Sequence, residues 1–304
     1  MKTLRFFRVM LLLFFILMPA SSSAQEISVN WWNDNTVTAE GHGFPPSNAA
    51  NIYEARNLSK RAAIADGYRA LAEQIRGVYI TAETTINDGI ISGDIIATNV
   101  NAVIRGSKIL SEEYDEYGGC KVVLSVPIYG VTSSVAKLIF KPVDKEDFPQ
   151  PTEEKIAEGN YTGLIIDCGD SDLKPVLSPV IRNADNISVY SYGNLDYDKV
   201  IAGGVVTYAV KDAPVLKTSA KFLSYSALID RKLLLVTAQT SEKNIARAGS
   251  NPLIIKAEGM SDDNTCPVIS TEDADKILSE NQASHFLDEG AVVFTSYRVG
   301  GLRA

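Results

Sequence analysis

The chain has 304 residues, 45% of them hydrophobic and 8% aromatic, enough apolar material for packed cores and enough length for two domains. Its formal net charge is −8, and no cluster of Lys and Arg interrupts the acidity. That balance excludes the basic patches that nucleic acids and anionic lipid surfaces require.

The first residues carry Lys2, Arg5 and Arg8, then an apolar run from Val9 to Ala20, then Ser21-Ser22-Ser23-Ala24 before Gln25. A positive start, a short apolar stretch and a small-residue boundary predict a cleavable export signal over residues 1–24. The run is about a dozen residues, whereas a spanning helix needs roughly 20. An uncleaved anchor is the alternative. No Cys lies at the cleavage point to accept a lipid, and no later stretch is long enough to span. The expected location is periplasmic.

Residues 27–32 and 36–40 read as two strands around Asn33-Asp34-Asn35, a hairpin in which adjacent Trp31 and Trp32 take opposite faces. One Trp would then be core and the other a candidate interface anchor. Gly41-His42-Gly43-Phe44-Pro45-Pro46 ends the strand. The helix predicted over about 49–76 is the strongest periodic signal. Ile52, Ala55, Leu58, Ala62, Ala65, Tyr68 and Ala72 form its apolar stripe, widened by Ile64, Leu71 and Ile75. Residues 78–86 alternate as a half-buried strand, 94–104 return to helical period, and Gly106 is a candidate C-cap. Ile109–Tyr114 and Cys120–Ile128 form a second hairpin about Tyr117-Gly118-Gly119, followed by a short helix over 132–140.

Pro142, Pro149 and Pro151 among acidic residues mark a semi-rigid linker over 141–161. Beyond it, strands are expected at Leu164–Asp167, Val205–Tyr208, Leu233–Thr237, Leu253–Lys256 and Val292–Thr295. A helix capped by Thr271 runs through Leu278. The fold class is therefore α+β. A domain of helices on a small antiparallel sheet (25–140) is followed by a mostly β domain (162–304).

Two stretches also carry a resemblance. Ala39–Pro46, followed by Ala62–Val78 and later Val103-Ile104-Arg105-Gly106, resembles a family of exported envelope proteins. That family includes a twenty-kilodalton outer-membrane lipoprotein and the N-terminal domain of flagellar assembly protein T. The resemblance covers about residues 36–140. Tyr161–Asp167, Leu173–Pro179 and Asn251–Ala257 are similar to a C-terminal module seen in uncharacterised relatives. It implies an assembly or scaffold role, envelope or flagellar basal-body proteins as partners, homo-oligomers, and no catalytic residues. Unlike the lipoprotein members, this chain lacks the lipid-acceptor Cys.

The residues themselves point the same way. There is no G-x-S-x-G, Walker loop, H-E-x-x-H or dinucleotide glycine pattern. His42 and His285, the two histidines, fall one in each domain. The expectation is no enzyme, no catalytic residue and no cofactor. Tyr68, Arg69 and Glu73 join Trp31 and Trp32 as interface candidates, against the reading that the helix flank is merely solvated. Asp167, Asp170 and Asp172 follow a strand and are either calcium ligands or a solvated turn. An oxidising compartment favours pairing of Cys168 with Cys266, both in the second half, and leaves Cys120 odd. The equal alternative is three small buried hydrophobes. A non-enzymatic envelope assembly or scaffold protein is the leading expectation. A periplasmic ligand- or calcium-binding module, with its site in the C-terminal domain, is the alternative.

Overall fold

The computed structural model describes residues 31–81, 83–88, 94–153, 155–211, 243–299 and 302–303. The export signal, the strand residues 27–30 and the strand expected at Leu233–Thr237 lie outside the described residues.

The first domain opens with a single helical turn, α1 (Trp31–Asp34). Asn35 enters the left-handed region (φ 56°), and its side chain accepts the Tyr129 N–H at 2.8 Å, which turns the chain into β1 (Thr36–Gly43). The long helix α2 (Ile52–Arg76) is started by Asn51, whose side chain accepts the Glu54 N–H. Glu54 in return accepts the Ala50 N–H at 2.8 Å, so two otherwise free donors are satisfied. Helix α3 (Asp94–Arg105) and the hairpin of β2 (Lys108–Tyr114) and β3 (Cys120–Pro127) follow, then α4 (Ala136–Ile139). The sheet is antiparallel, in the order β1-β3-β2.

The face of α2 that meets this sheet shares only Ala55, Leu71 and Ile75 with the predicted stripe. Ala55, Ser59, Ala63, Gly67, Leu71 and Ile75 are buried at a spacing of four, whereas Ile52, Leu58, Ala62 and Ala65 are exposed. Size, not hydrophobicity, selects the ridge. A Cβ added at Gly41 would lie 2.1 Å from the Ala63 carbonyl oxygen and 2.3 Å from the Gly67 nitrogen. One added at Gly43 would lie 1.9 Å from the Ser59 oxygen. Strand backbone rests directly on helix backbone, so only the smallest residues fit beneath β1. Ser59 spends its hydroxyl on the Ala55 carbonyl at 2.7 Å, leaving no buried polar debt.

Two further expectations are corrected. The strand over 78–86 reduces to a bridge between Tyr79 and Thr85. The backbone beside that bridge is spent on the second domain, with Tyr79 and Ile80 carbonyls accepting the Leu177 and Ser178 N–H groups at 3.0 and 2.8 Å. Trp31 and Trp32 lie in a helical turn, not a strand. Successive residues there sit about 100° apart instead of on opposite faces, and both are buried.

In the second domain, β4 (Gly163–Asp167), β5 (Asp172–Leu173), β6 (Ile181–Asn183), β7 (Ser188–Tyr190), α5 (Tyr197–Gly203) and β8 (Thr207–Val210) come first. Then come β9 (Pro252–Lys256), β10 (Gly259–Met260), β11 (Pro267–Ile269), α6 (Thr271–Ser284), β12 (Val292–Ser296), β13 (Arg298–Val299) and β14 (Leu302–Arg303). Most of its elements are strands. Its central sheet, β8-β12-β4-β9, is wholly parallel. The near-continuous apolar runs of β4 and β12 suit strands covered on both faces. Ser270, one residue before the predicted cap, starts α6 by accepting the Asp273 N–H.

The described residues of segment 141–161 have no regular secondary structure yet are tied along α6. Buried Asp275 accepts the Thr152 N–H (2.7 Å), the Thr152 hydroxyl (2.6 Å) and the Glu153 N–H (3.1 Å). Ser279 takes the Lys155 N–H, and buried Glu280 takes those of Glu158 and Gly159 at 2.9 and 3.0 Å. One hydrophobic cluster runs through both domains, from Trp31 to Val299.

Gly41→Ala should cost about 3 kcal/mol or more, because backbone on both sides resists the added methyl. Gly259→Ala, with nothing within 4 Å of the new atom, should be close to neutral; urea titration of the two compares them. Burial raises the Asp275 pKa, but the bonds from Thr152 and Glu153 outweigh it and hold the carboxyl below its ordinary value. Folding thus favours the charged form. Its contribution is complete above the unfolded value of about 3.9 and is lost as pH falls through the folded one. Melting curves should show the wild type losing stability on acidification below about pH 4, with Asp275→Asn less stable at neutral pH and flatter in acid.

Candidate interaction site

At the end of the first domain where β1 stops, three loops converge. Gly43 pairs with Cys120, and Cys120 pairs on its other side with Tyr114, so the exit of β1 lies beside the β2–β3 turn. Asp115 builds that turn by accepting the Tyr117 and Gly119 N–H groups at 2.8 and 2.7 Å, while Gly118 takes φ +88°. The start of α2 completes the end, with the Ile52 and Ala55 side chains against Gly118.

This end presents aromatic rings to solvent. Phe44 is 83% exposed, Tyr53 79% and Tyr117 76%. Beside them is a cleft of about 230 Å³ lined by His42, Phe44, Tyr114, Gly119, Cys120 and Lys121, among others. Tyr114 is held in place from two sides. The Arg56 guanidinium sits 5.5 Å from its ring centre, and its hydroxyl donates to Glu112 at 2.5 Å. That bond to a carboxylate pushes the phenol up to about 12. Burial raises the Cys120 thiol above its ordinary value, so the cleft has no ready thiolate. The arrangement suits capture of an apolar side chain by rigid aromatic groups.

The junction between the domains is also aromatic, but closed. Trp31 meets Tyr129 and Tyr208 edge-on, at 6.3 and 6.4 Å between ring centres. Tyr129 lies so close over Gly204 that a Cβ there would be 2.5 Å from the ring. Beneath it, Arg247 donates to the Gly203, Gly204 and Gly290 carbonyls at 2.5, 2.7 and 2.7 Å and to Thr207 at 3.0 Å. The first two carbonyls end α5, where the helix dipole favours a cation. A space of about 210 Å³ lies against Trp31, Trp32 and Asn33, but the unpartnered Trp32 Nε1 and Asn33 Oδ1 are sealed from solvent.

The residues nominated from the sequence are thus dispersed. Trp31 and Trp32 serve the junction instead of an outer surface, since both are enclosed. Tyr68 is half-buried on the core. Arg69 is exposed and paired with Asp66 at 2.8 Å and Glu73 at 3.5 Å, and Asp66 also grips the His42 N–H of β1. The aspartates are not gathered into one ligand set. Asp167 is engaged with Lys211 and the Gly169 N–H, Asp170 is exposed, and Asp172 pairs along β13. Among the described residues no three His, Cys, Asp or Glu side chains are placed to hold a metal. Nor is the candidate disulfide present: Cys120, Cys168 and Cys266 are free thiols. Cys168 is enclosed with Sγ toward the Ile166 carbonyl, while Cys266 faces Thr265. Phe44 and Tyr117 were missed because they fall in turns outside any helical or strand period, and Tyr53 because it lies off the predicted apolar stripe of α2.

Residues 44–126 match the family model described as LPP20 lipoprotein. The first domain is similar to the LPP20 lipoproteins. Residues 163–296 match the model described as the second domain of Treponema pallidum Tp0624. No curated protein matches the chain. The LPP20-like region begins at Phe44 and spans α2, α3, β2 and nearly all of β3, so it contains Phe44, Tyr53, Tyr114 and Tyr117 but not the His42 and Gly43 that also line the cleft. Among the described residues no helix is long and apolar enough to cross a membrane.

Burial pushes the Cys168 thiol up to about 12. In the folded chain it should therefore resist alkylation at neutral pH. Denaturation without reductant should release three titratable thiols; one would reveal a disulfide.

Proposed function

We infer that this chain is a non-enzymatic assembly or scaffold protein of the cell envelope, exported to the periplasm, that holds a protein partner at the aromatic end of its LPP20-like domain. The observation that carries this reading is Phe44, which lines a cleft, together with Tyr53 and Tyr117 on the helix start and turn that converge at the same end, each at least three-quarters exposed. Exposed aromatic clusters of this kind are costly unless they are used, because they invite association. Aromatic rings on a fixed frame are also the side chains that dominate protein–protein contacts. The LPP20 match supports the envelope, and the signal read at residues 1–24 supports export. Attachment to the flagellar basal body is the narrower form of the proposal.

A photo-crosslinking residue at position 44 or 117 should capture an envelope protein in the source organism, while one at fully exposed Ile156 should not. Phe44→Ser with Tyr117→Ser should reduce capture through position 53 about tenfold, as loss of interface anchors does. Equal labelling from all positions would sink the assignment. For the narrower form, gene deletion should abolish motility and thin or remove a basal-body ring in electron micrographs. Normal swimming with intact rings would remove the flagellar association alone.

A further inference from the structure

Strand β2 is an edge with nothing beside it among the described residues, and it is unusual in being largely open on both faces. Helix α2 lies on β1 and β3 and reaches β2 through the Lys60 and Arg56 side chains, on Glu112 and Tyr114, so the helix side of β2 is only partly covered. The residues on that side are Ile109, Glu112 and Tyr114, opposite Leu124, Val122 and Cys120. Ile109 is 44% exposed. The ladder shifts between Ile109 and Ser111, which leaves Leu110 outside it and 60% exposed. Lys108, Ser111 and Glu113 then share the other face, opposite Ser125, Val123 and Lys121.

The charges on that outer face have a particular order. Lys108 stands at one end and Glu113 near the other, both exposed, and neither takes part in an ion pair among the described residues. By contrast Glu112, on the helix side, is already bound to Lys60 at 2.6 Å. A strand with opposite charges at its two ends is complementary to itself when reversed. A two-fold axis normal to the sheet at the middle of β2 sets each Lys108 opposite the Glu113 of a second copy. Each contact then occurs twice, as an isologous interface demands.

We propose that β2 pairs antiparallel with β2 of a second copy of this chain, joining two three-stranded sheets into one of six. The axis keeps both copies of α2 on the same side, so the helix-side residues of the two β2 strands share one groove between the two helices. The row of edge N–H and C=O groups finds partners. The bulge and charges that normally guard an edge against indiscriminate pairing here admit one partner whose charges run the opposite way. Glu113 and Tyr114 of β2 also line the cleft beside Phe44, whereas Lys108 at the other end of the strand does not, so Lys108→Glu is the change that separates the two contacts.

Sedimentation velocity of the mature chain tests it. The wild type should run as a dimer whose dissociation rises with salt. Lys108→Glu alone and Glu113→Lys alone should each shift it to monomer by at least tenfold in Kd, and the double exchange should restore the dimer. Circular dichroism and melting of each variant establish that these exposed changes leave the fold intact. A wild type that stays monomeric at its solubility limit overturns the proposal, and so does a double exchange that remains monomeric. Crosslinking from position 44 in the Lys108→Glu background keeps the two proposals apart, because the envelope contact should persist when the dimer is lost.

Discussion

Gly41 and Gly43 bring β1 into backbone contact with α2, and the layout of the first domain follows from that closeness. With no Cβ between them, strand and helix approach until the carbonyls of Ser59 and Ala63 occupy the space a side chain would need. The helix is thereby fixed over β1 and β3, with Leu124 of β3 over Gly67. Because it sits so far toward one side of a three-stranded sheet, β2 is left partly bare. The start of α2 is placed at the same time, which puts Ile52 and Tyr53 beside the β2–β3 turn. A tight contact in one place thus creates open surface in two others.

The existence of α2 was legible from its period, and its buried face only in part. Periodicity weighs hydrophobicity, so Ile52 and Leu58 counted toward the core while Ser59 and Gly67 counted against it. The contact weighs volume, and volume matters only once the neighbour is known to be a glycine strand. The β2–β3 hairpin was legible because Tyr117-Gly118-Gly119 announces a turn whose geometry is local. Residues 78–86 alternated like a strand, but much of that alternation came from Val78 and Ile86 filling a loop core. The strands of the second domain could be located by their apolar runs. Their parallel pairing depends on partners far along the chain.

The site was less visible for a related reason. Trp31 and Trp32 drew notice as large aromatic residues, and large aromatic residues are also what a domain junction consumes. The rings that remain outside are attached to turns, where no period labels them as surface, and to a helix start off its predicted stripe. The aspartates after β4 looked like a ligand set in one dimension. In three, Asp167 is drawn to Lys211 and Asp172 is carried off into β5. Export from the cytoplasm argued for a disulfide, yet Cys168 is packed as a small apolar group beneath the second sheet's strands.

Segment 141–161 looks by composition like a tether, and tethers let domains tumble independently. Here its amide groups are clasped by Asp275, Ser279 and Glu280, while Tyr129 and Tyr79 lock the other contacts. Among the described residues the two domains are then tied together at several points along this segment. Whatever holds one domain therefore also bears on how the other is offered.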